Sequence, residues 1–124
     1  MYDVIIAGAG PAGSLCAGQL AQKGHDVLVL EAGDSPGGKY SCTGLIGLEC
    51  ASKFSIDDRL VLRKTGSARV FSPAGQSLHI YREEAQACVI DRHAFDIALA
   101  ERAVNAGAGL RCGCRVTGMS AGQN

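Results

Sequence analysis

Two stretches near the amino terminus decide the fold: Val4-Ile5-Ile6-Ala7-Gly8-Ala9-Gly10-Pro11-Ala12-Gly13, and, after an intervening helical pattern, Asp26-Val27-Leu28-Val29-Leu30-Glu31. The apolar run over 4–7 predicts a strand, and a helix starting near Pro11 forces the chain through a tight reversal between them. Gly8 can make that reversal because it lacks a Cβ. Gly10 lets a pyrophosphate approach the backbone, and Gly13 lets the helix pack hard against the strand, with Ala17 keeping the next turn of that contact small. The orphan N–H groups of the first helical turn and the positive end of the helix dipole then face an anion. Pro11 suits that first turn, having no N–H to lose. Ala12, Leu15, Cys16 and Leu20 recur at helical spacing, and Gly24 is placed as a left-handed stop.

Four consecutive apolar residues, 27–30, predict a strand buried on both faces of a parallel sheet. The acid at its end, Glu31, lies about 20 residues past the glycines, where it accepts from ribose hydroxyls in a dinucleotide site. Glycine-rich turns are common, and a purely structural turn is the competing reading. Strand, glycines, helix, strand and acid in the required order favour the dinucleotide.

Residues 4–21 carry no charge, and a run of that length can signal a membrane span or a signal peptide. Its glycines, Pro11 and Gln19 argue against both, as does Asp3 directly before it. No later segment is long and apolar enough to cross a bilayer, so the expectation is a cytoplasmic protein with no transmembrane segment. The chain has 124 residues, with 12 basic residues balanced by 12 acidic ones, which leaves no electrostatic footprint for nucleic acid. Cys16, Cys42, Cys50, Cys88, Cys112 and Cys114 contain no CxxC pair, which argues against a disulfide or zinc framework. Cys112 and Cys114 are expected on one face of a strand, and most of the six as small buried hydrophobes. No metal site is expected.

Beyond Glu31 the organisation changes. Gly33 to Gly47, rich in glycine and small residues, reads as a long loop, of the kind that in compact domains is functional or disordered. A short helix is expected near Leu48 to Phe54. Ser67 to Phe71 and Ser77 to Tyr81 read as a hairpin around Ser72-Pro73-Ala74-Gly75, with a further strand at Ala87 to Ile90. Asp91 precedes a helix with Phe95, Leu99, Ala103 and Ala106 on one face, closed by Gly107, and Leu110 to Val116 reads as a strand. The expected class is therefore α/β: a β-α-β unit, an antiparallel insertion over about 33–90, then α-β back into the parallel sheet.

The pattern Gly8-x-Gly10-Pro11-x-Gly13, Glu31, Cys42-Thr43-Gly44-Leu45, and Asp91-Arg92-x-x-Phe95-Asp96 with Ala106-Gly107-Ala108 resembles the amino-terminal part of the geranylgeranyl reductase family. The resemblance covers nearly the whole chain, and the cysteine-glycine loop is its most specific element. It implies a Rossmann-like FAD-binding domain of the aromatic hydroxylase type, incomplete, with residues 1–124 forming its amino-terminal part. It further implies an FAD-dependent oxidoreductase that takes electrons from an external reductant and reduces double bonds of isoprenoid chains on lipids or pigment precursors, with peripheral membrane contact. By position, Gly8, Gly10, Pro11, Ala12, Gly13 and Glu31 would contact the adenosine and pyrophosphate half. Cys42, Thr43 and Gly44 would line the flavin, Arg92 would hold the cofactor, and Val116 would meet the adenine through its backbone. The archaeal loop commonly has one more residue between the cysteine and the final glycine-leucine, which makes Gly44 the firmer match beside Thr43.

Two other functions remain open on the same residues: an FAD-dependent aromatic-type monooxygenase, and a non-catalytic nucleotide-binding fragment. Arg92, in a first helical turn, opposes the helix dipole unless an anion answers it, whether the cofactor or a neighbouring Asp91 or Asp96. Cys42 is the one candidate for chemistry, as a redox thiol or proton donor, against a packing role beside the flavin. His25, His79 and His93 join no catalytic or metal spacing and read as structural or exposed. Lys39 and Tyr40 beside the loop read as solvent-facing.

Overall fold

The computed structural model describes residues 1–38 and 42–120. It divides into two compact units, one of Met1–Tyr40 with His93–Asn124 and one of Ser41–Arg92. Lys39 and Tyr40 lie outside the described residues.

The first unit is the expected parallel scaffold. Strand β1 (Val4–Ala7), helix α1 (Pro11–Gln22) and strand β2 (Val27–Leu30) follow in order. Helix α3 (Arg92–Asn105) and strand β8 (Gly109–Arg111) complete it. The sheet order is β1-β2-β8 with both pairings parallel: Val4 opposite Val27, and Val29 opposite Leu110. The central strand buries Val27, Leu28 and Val29, as its unbroken apolar run predicts. Removing each such side chain from water contributes about 1.5–3 kcal/mol. Gly24, at φ +89°, ends α1 by donating its N–H to Ala21 O at 2.9 Å, and Gly107, at φ +107°, does the same for α3 toward Val104 O at 2.9 Å.

Three readings of this unit are corrected. In α1, Ser14 and Ala17 face the core while Ala12, Leu15 and Cys16 point outward. Close packing selects the smallest residues rather than the largest apolar ones. The position of an added Cβ at Gly18 lies only 3.4 Å from Ala103 Cα, so α1 and α3 meet almost backbone to backbone. In α3 the fully buried residues are Asp96, Ala100 and Ala103, a stripe rotated from the expected Phe95-Leu99-Ala103-Ala106 face; only Ala103 is common to both. Strand β8 stops at Arg111, because Gly113 turns the chain at φ +68° and breaks the extended run that was expected to reach Val116. Cys112 and Cys114 therefore do not share a strand.

The second unit is antiparallel. Strand β7 (Ala87–Ile90) is flanked by β3 (Leu45–Gly47) and β4 (Val61–Thr65), in the order β3-β7-β4. Helix α2 (Leu48–Lys53) follows β3, and a single 3-10 turn (Asp58–Leu60) leads into β4. Strands β5 (Ser67–Phe71) and β6 (Ser77–Tyr81) form the hairpin with the expected limits, Ser67 opposite Tyr81 and Phe71 opposite Ser77. Here β3 replaces the end of the expected loop, and β4 is an element that the sequence pattern did not announce.

The cysteines also depart from expectation. None of the six forms a disulfide, and only Cys88 is fully buried; Cys16, Cys42 and Cys50 are exposed, with Cys112 and Cys114 in between. Cys88 owes its burial to its place on the central strand of the antiparallel sheet.

Candidate dinucleotide-binding site

The three glycines of the first turn perform separable tasks. Gly8 takes φ +102°, a left-handed conformation that a side chain would strain, and donates its N–H to Leu30 O at 2.8 Å. Gly13 is pressed onto the strand: an added Cβ would run into the Gly8 carbonyl oxygen and lie 3.3 Å from Ile6 Cγ2. Gly10 is the opposite case, since an added Cβ there meets nothing within 4 Å. Its backbone, at φ −71° and ψ 179°, suits any residue. Its smallness therefore serves no contact within the protein and leaves the backbone approachable from outside.

Gly10 caps α1 without a side-chain hydrogen bond, Pro11 occupies the first turn, and no acidic residue stands in that turn. The helix thus presents its positive end with no carboxylate of its own to answer it. Behind the turn, Ser14 Oγ donates to Ala9 O at 3.0 Å, so the buried hydroxyl is satisfied and the turn is anchored to the helix.

Glu31 braces this arrangement. Its Oε2 accepts from the Ala9 N–H at 2.8 Å and its Oε1 from the Gly33 N–H at 2.8 Å. One carboxylate therefore ties the glycine turn to the loop that leaves β2. The N–H groups of Gly33 and Ala9, in that order, hold its pKa below the usual carboxylate value; the N–H of Ala32 and the charge of Arg115 add to them, and burial opposes. The group is ionised at neutral pH and keeps lone pairs for further donors such as ribose hydroxyls. The second half of this brace was invisible in the sequence, because Ala9 and Glu31 are 22 positions apart.

A cavity of about 250 Å³ opens beside the brace, lined by Gly10, Glu31, Gly33, Gly37, Asp96 and Arg115 among others. That is slightly under the roughly 300–1,000 Å³ of drug-sized ligand pockets, a volume for part of a dinucleotide. Its floor is pinned from three sides. Gly113 N–H donates to Gly33 O at 2.8 Å, and Cys114 N–H donates to Glu31 O at 2.8 Å. His93 Nδ1 lies 2.9 Å from Gly37 O and, since a carbonyl can only accept, carries the proton there. Arg115 was not singled out by pattern, and Asp96 entered only as the end of the Asp91-Arg92-x-x-Phe95-Asp96 motif and as an ion-pair candidate for Arg92. Asp96 looks like a polar position on a helix surface, and Arg115 sits where a strand was expected. Val116 is exposed, in the irregular segment after Gly113.

The remaining predicted residues belong to the second unit. Gly44 is buried at φ +70°; an added Cβ would strike the Ile90 carbonyl oxygen and lie 3.4 Å from Arg92 Cγ. Its oxygen accepts from the Ile90 N–H at 2.9 Å, and its N–H donates to Cys42 Sγ at 3.5 Å, a weak acceptor. Gly44 and Arg92 are thus brought together, and Gly44 has a structural reason to be glycine whatever it faces. Cys42 and Thr43 are exposed. Among the described residues no group of three or more His, Cys, Asp or Glu could hold a metal ion, and no helix is long and apolar enough to cross a membrane.

Comparison with known proteins agrees with this geometry. The chain is 38% identical over 122 residues to a digeranylgeranylglycerophospholipid reductase of Methanosarcina mazei, covering 95% of the chain and 30% of that protein. It is likewise 38% identical over 107 residues to a geranylgeranyl diphosphate reductase of Rhodobacter capsulatus, covering 86% of the chain and 27% of that protein. Among solved structures, a geranylgeranyl bacteriochlorophyll reductase-like protein of Thermoplasma acidophilum superposes with a TM-score of 0.83 at 25% identity, over 98% of the chain and 32% of that structure. The chain spans about 30% of the length of the curated relatives it matches. Residues 6–83 match the profile described as NAD(P)-binding Rossmann-like domain. The glycine turn, the parallel β1-α1-β2 unit and that match together establish that the chain belongs to the NAD(P)-binding Rossmann-like domain family.

Proposed function

We propose that these residues form the adenosine- and pyrophosphate-binding part of an FAD-dependent oxidoreductase that reduces the double bonds of geranylgeranyl chains on lipids or pigment precursors. The observation that carries this reading is the 38% identity to the Methanosarcina mazei reductase across 95% of the chain. In this reading residues 1–124 are the first part of a single FAD-binding domain into which the segment at about 33–90 is inserted. Support for FAD over a nicotinamide comes from the antiparallel unit Ser41–Arg92, which follows β2 where a nicotinamide domain would continue to alternate strand and helix. A flavin-dependent brominase, 26% identical with a TM-score of 0.65, shares the fold and points the same way.

The residues present fit such a cofactor. The open backbone at Gly10 and the uncompensated first turn of α1 receive the pyrophosphate, with Gly8, Pro11, Ala12 and Gly13 shaping the turn. Glu31, held ionised, accepts from the ribose. Val116 offers backbone groups to the adenine. Cys42, Thr43, Gly44 and Arg92 are assigned to the flavin half by the family resemblance. The flavin supplies the hydride chemistry when bound, and the protein contributes position and a water-poor setting. Cys42 is assigned to packing rather than to proton transfer. In this reading the protein is cytoplasmic and works at the membrane surface, where such lipids lie.

The test is a chimera in which these 124 residues replace the matching span of the Methanosarcina mazei reductase. Purified protein should carry the absorption bands of flavin and, with a reductant, saturate a geranylgeranylated glycerophospholipid. The isolated chain should hold FAD weakly and reduce nothing. A chimera that folds without flavin and binds NAD tightly would refute the proposal.

A further inference from the structure

The wall of the cavity beside Glu31 is made largely of small residues: Ala32, Gly33, Ser35, Gly37 and Gly38. Against that background one long cation, Arg115, borders the same space as Gly10 and Glu31. It forms no salt bridge among the described residues; its charge reaches Glu31 only through space. A guanidinium left without an ion pair on a cavity wall is available to a ligand. Two uses compete: a point charge for phosphate, or a flat face for an aromatic ring.

The neighbours decide between them. The phosphates already have the first-turn N–H groups of α1 beyond Gly10, and the ribose has Glu31. Among the described residues the adenine has no aromatic side chain to lie on, since the lining residues are glycine, alanine, serine, acids and Arg115. Arg115 also directly precedes Val116, the residue assigned to the adenine edge. We propose that Arg115 lays its guanidinium plane on the adenine ring of the bound dinucleotide and so sets the affinity of the site for the adenosine half. This rests on the dinucleotide reading above and adds a contact that the family resemblance does not supply.

The experiment titrates the chain and its Arg115→Lys and Arg115→Met variants with FAD, ADP and FMN by calorimetry, at low and high salt, with circular dichroism to confirm folding. Arg115 is exposed, so neither variant should unfold. Lys retains the charge without the plane, and Met retains the stem without either. The expected result is that Arg115→Met weakens FAD and ADP by roughly three- to thirtyfold, the range a cation over an aromatic face commands, and that Arg115→Lys, which keeps a cation but not the plane, weakens both by a smaller factor. FMN, which lacks adenosine, should be unaffected. Wild-type affinity in Arg115→Lys with a salt-sensitive loss in Arg115→Met would make Arg115 a phosphate contact and overturn the inference. Unchanged affinity in both variants would overturn it while leaving the dinucleotide reading intact. A wild-type chain that binds neither FAD nor ADP would overturn both.

Discussion

Replacing Glu31 by glutamine isolates the brace between the glycine turn and the loop after β2. The carboxylate presents one acceptor oxygen to the Ala9 N–H and one to the Gly33 N–H, each at 2.8 Å. Glutamine has a single acceptor oxygen and an NH₂ group in place of the other. Whichever way the amide turns, one backbone donor faces another donor, and Ala9 is only 1% exposed, so water cannot easily replace the lost partner. A hydrogen bond to a charged acceptor contributes about 1.5–3 kcal/mol, and the conflict is expected to cost about 2–3 kcal/mol of stability. For a chain of this size each kcal/mol shifts the melting temperature by about 3–6 °C, so Glu31→Gln should melt roughly 6–18 °C lower.

Three measurements check that reasoning. Thermal melts at neutral pH give the stability loss, and amide hydrogen exchange should show Ala9 or Gly33, whichever faces the NH₂ group, losing protection. Calorimetry should show ADP binding at least tenfold weaker, because the ribose acceptor also loses its charge. The pH dependence carries a sign. The folded-state pKa of Glu31 lies below the ordinary carboxylate value of about 4.3, so its stabilisation is fully present above that value and disappears as pH falls through the lower folded-state pKa. The gap between wild-type and Glu31→Gln melting temperatures should therefore close in acid. An unchanged melt at neutral pH, with Ala9 and Gly33 both still protected, would refute the brace.

Gly10→Ala and Gly13→Ala should separate the two roles within the turn. Gly10→Ala should melt like the wild type, because its Cβ meets no protein atom, yet lose ADP affinity by tenfold or more; Gly13→Ala, driven into the Gly8 carbonyl, should lose about 1–3 kcal/mol as well as affinity. Equal ADP affinity in Gly10→Ala and wild type would remove the pyrophosphate from this turn. Gly44→Ala should destabilise the antiparallel unit, read as faster exchange of the Ile90 amide, since its φ of +70° and the Ile90 carbonyl both exclude a methyl group. Timed alkylation under native conditions should modify Cys16, Cys42 and Cys50 first and Cys88 last. Asp57, paired to the exposed Arg59, should titrate near about 2 by NMR, while Asp57→Asn leaves the melting temperature unchanged within error, because exposed pairs are screened.

Local pattern carried most of the scaffold. The Val4–Ala7 strand, the stops at Gly24 and Gly107, and the hairpin around Ser72-Pro73-Ala74-Gly75 depend on residues adjacent in sequence, and they appear with the expected limits. Strands β3 and β4 escaped notice because their character is set by a partner. Val61-Leu62-Arg63-Lys64-Thr65 alternates poorly, its register slips between Val61 and Arg63, and both strands exist by pairing with Ala87–Ile90. Arg115, and the place of Asp96 on the cavity wall, escaped for the same reason. A cavity is a meeting of distant segments, and neither residue differs in sequence from a solvated charge.

The misread face of α1 shows why the scaffold and the site are one problem. Apolar periodicity points to Leu15 and Leu20, yet only Leu20 packs, half-buried, against the core, and Leu15 is exposed. The structure instead turns Gly13, Ser14, Ala17 and Gly18 inward, so that the helix lies close enough for Gly13 to touch the Gly8 carbonyl and Gly18 to meet Ala103. That closeness holds the first turn of α1 beside the end of β1, and Glu31 reaches from the end of β2 to Ala9 in the same turn. Larger inward residues would bury more apolar area and stabilise the helix more. They would also lift the helix away from the strand, taking Ala9 from Glu31 and the open Gly10 backbone from the cavity. The smallness of these four residues is therefore a requirement of the nucleotide turn, and hydrophobic periodicity fails as a guide to α1 because its register is set by the need for close approach.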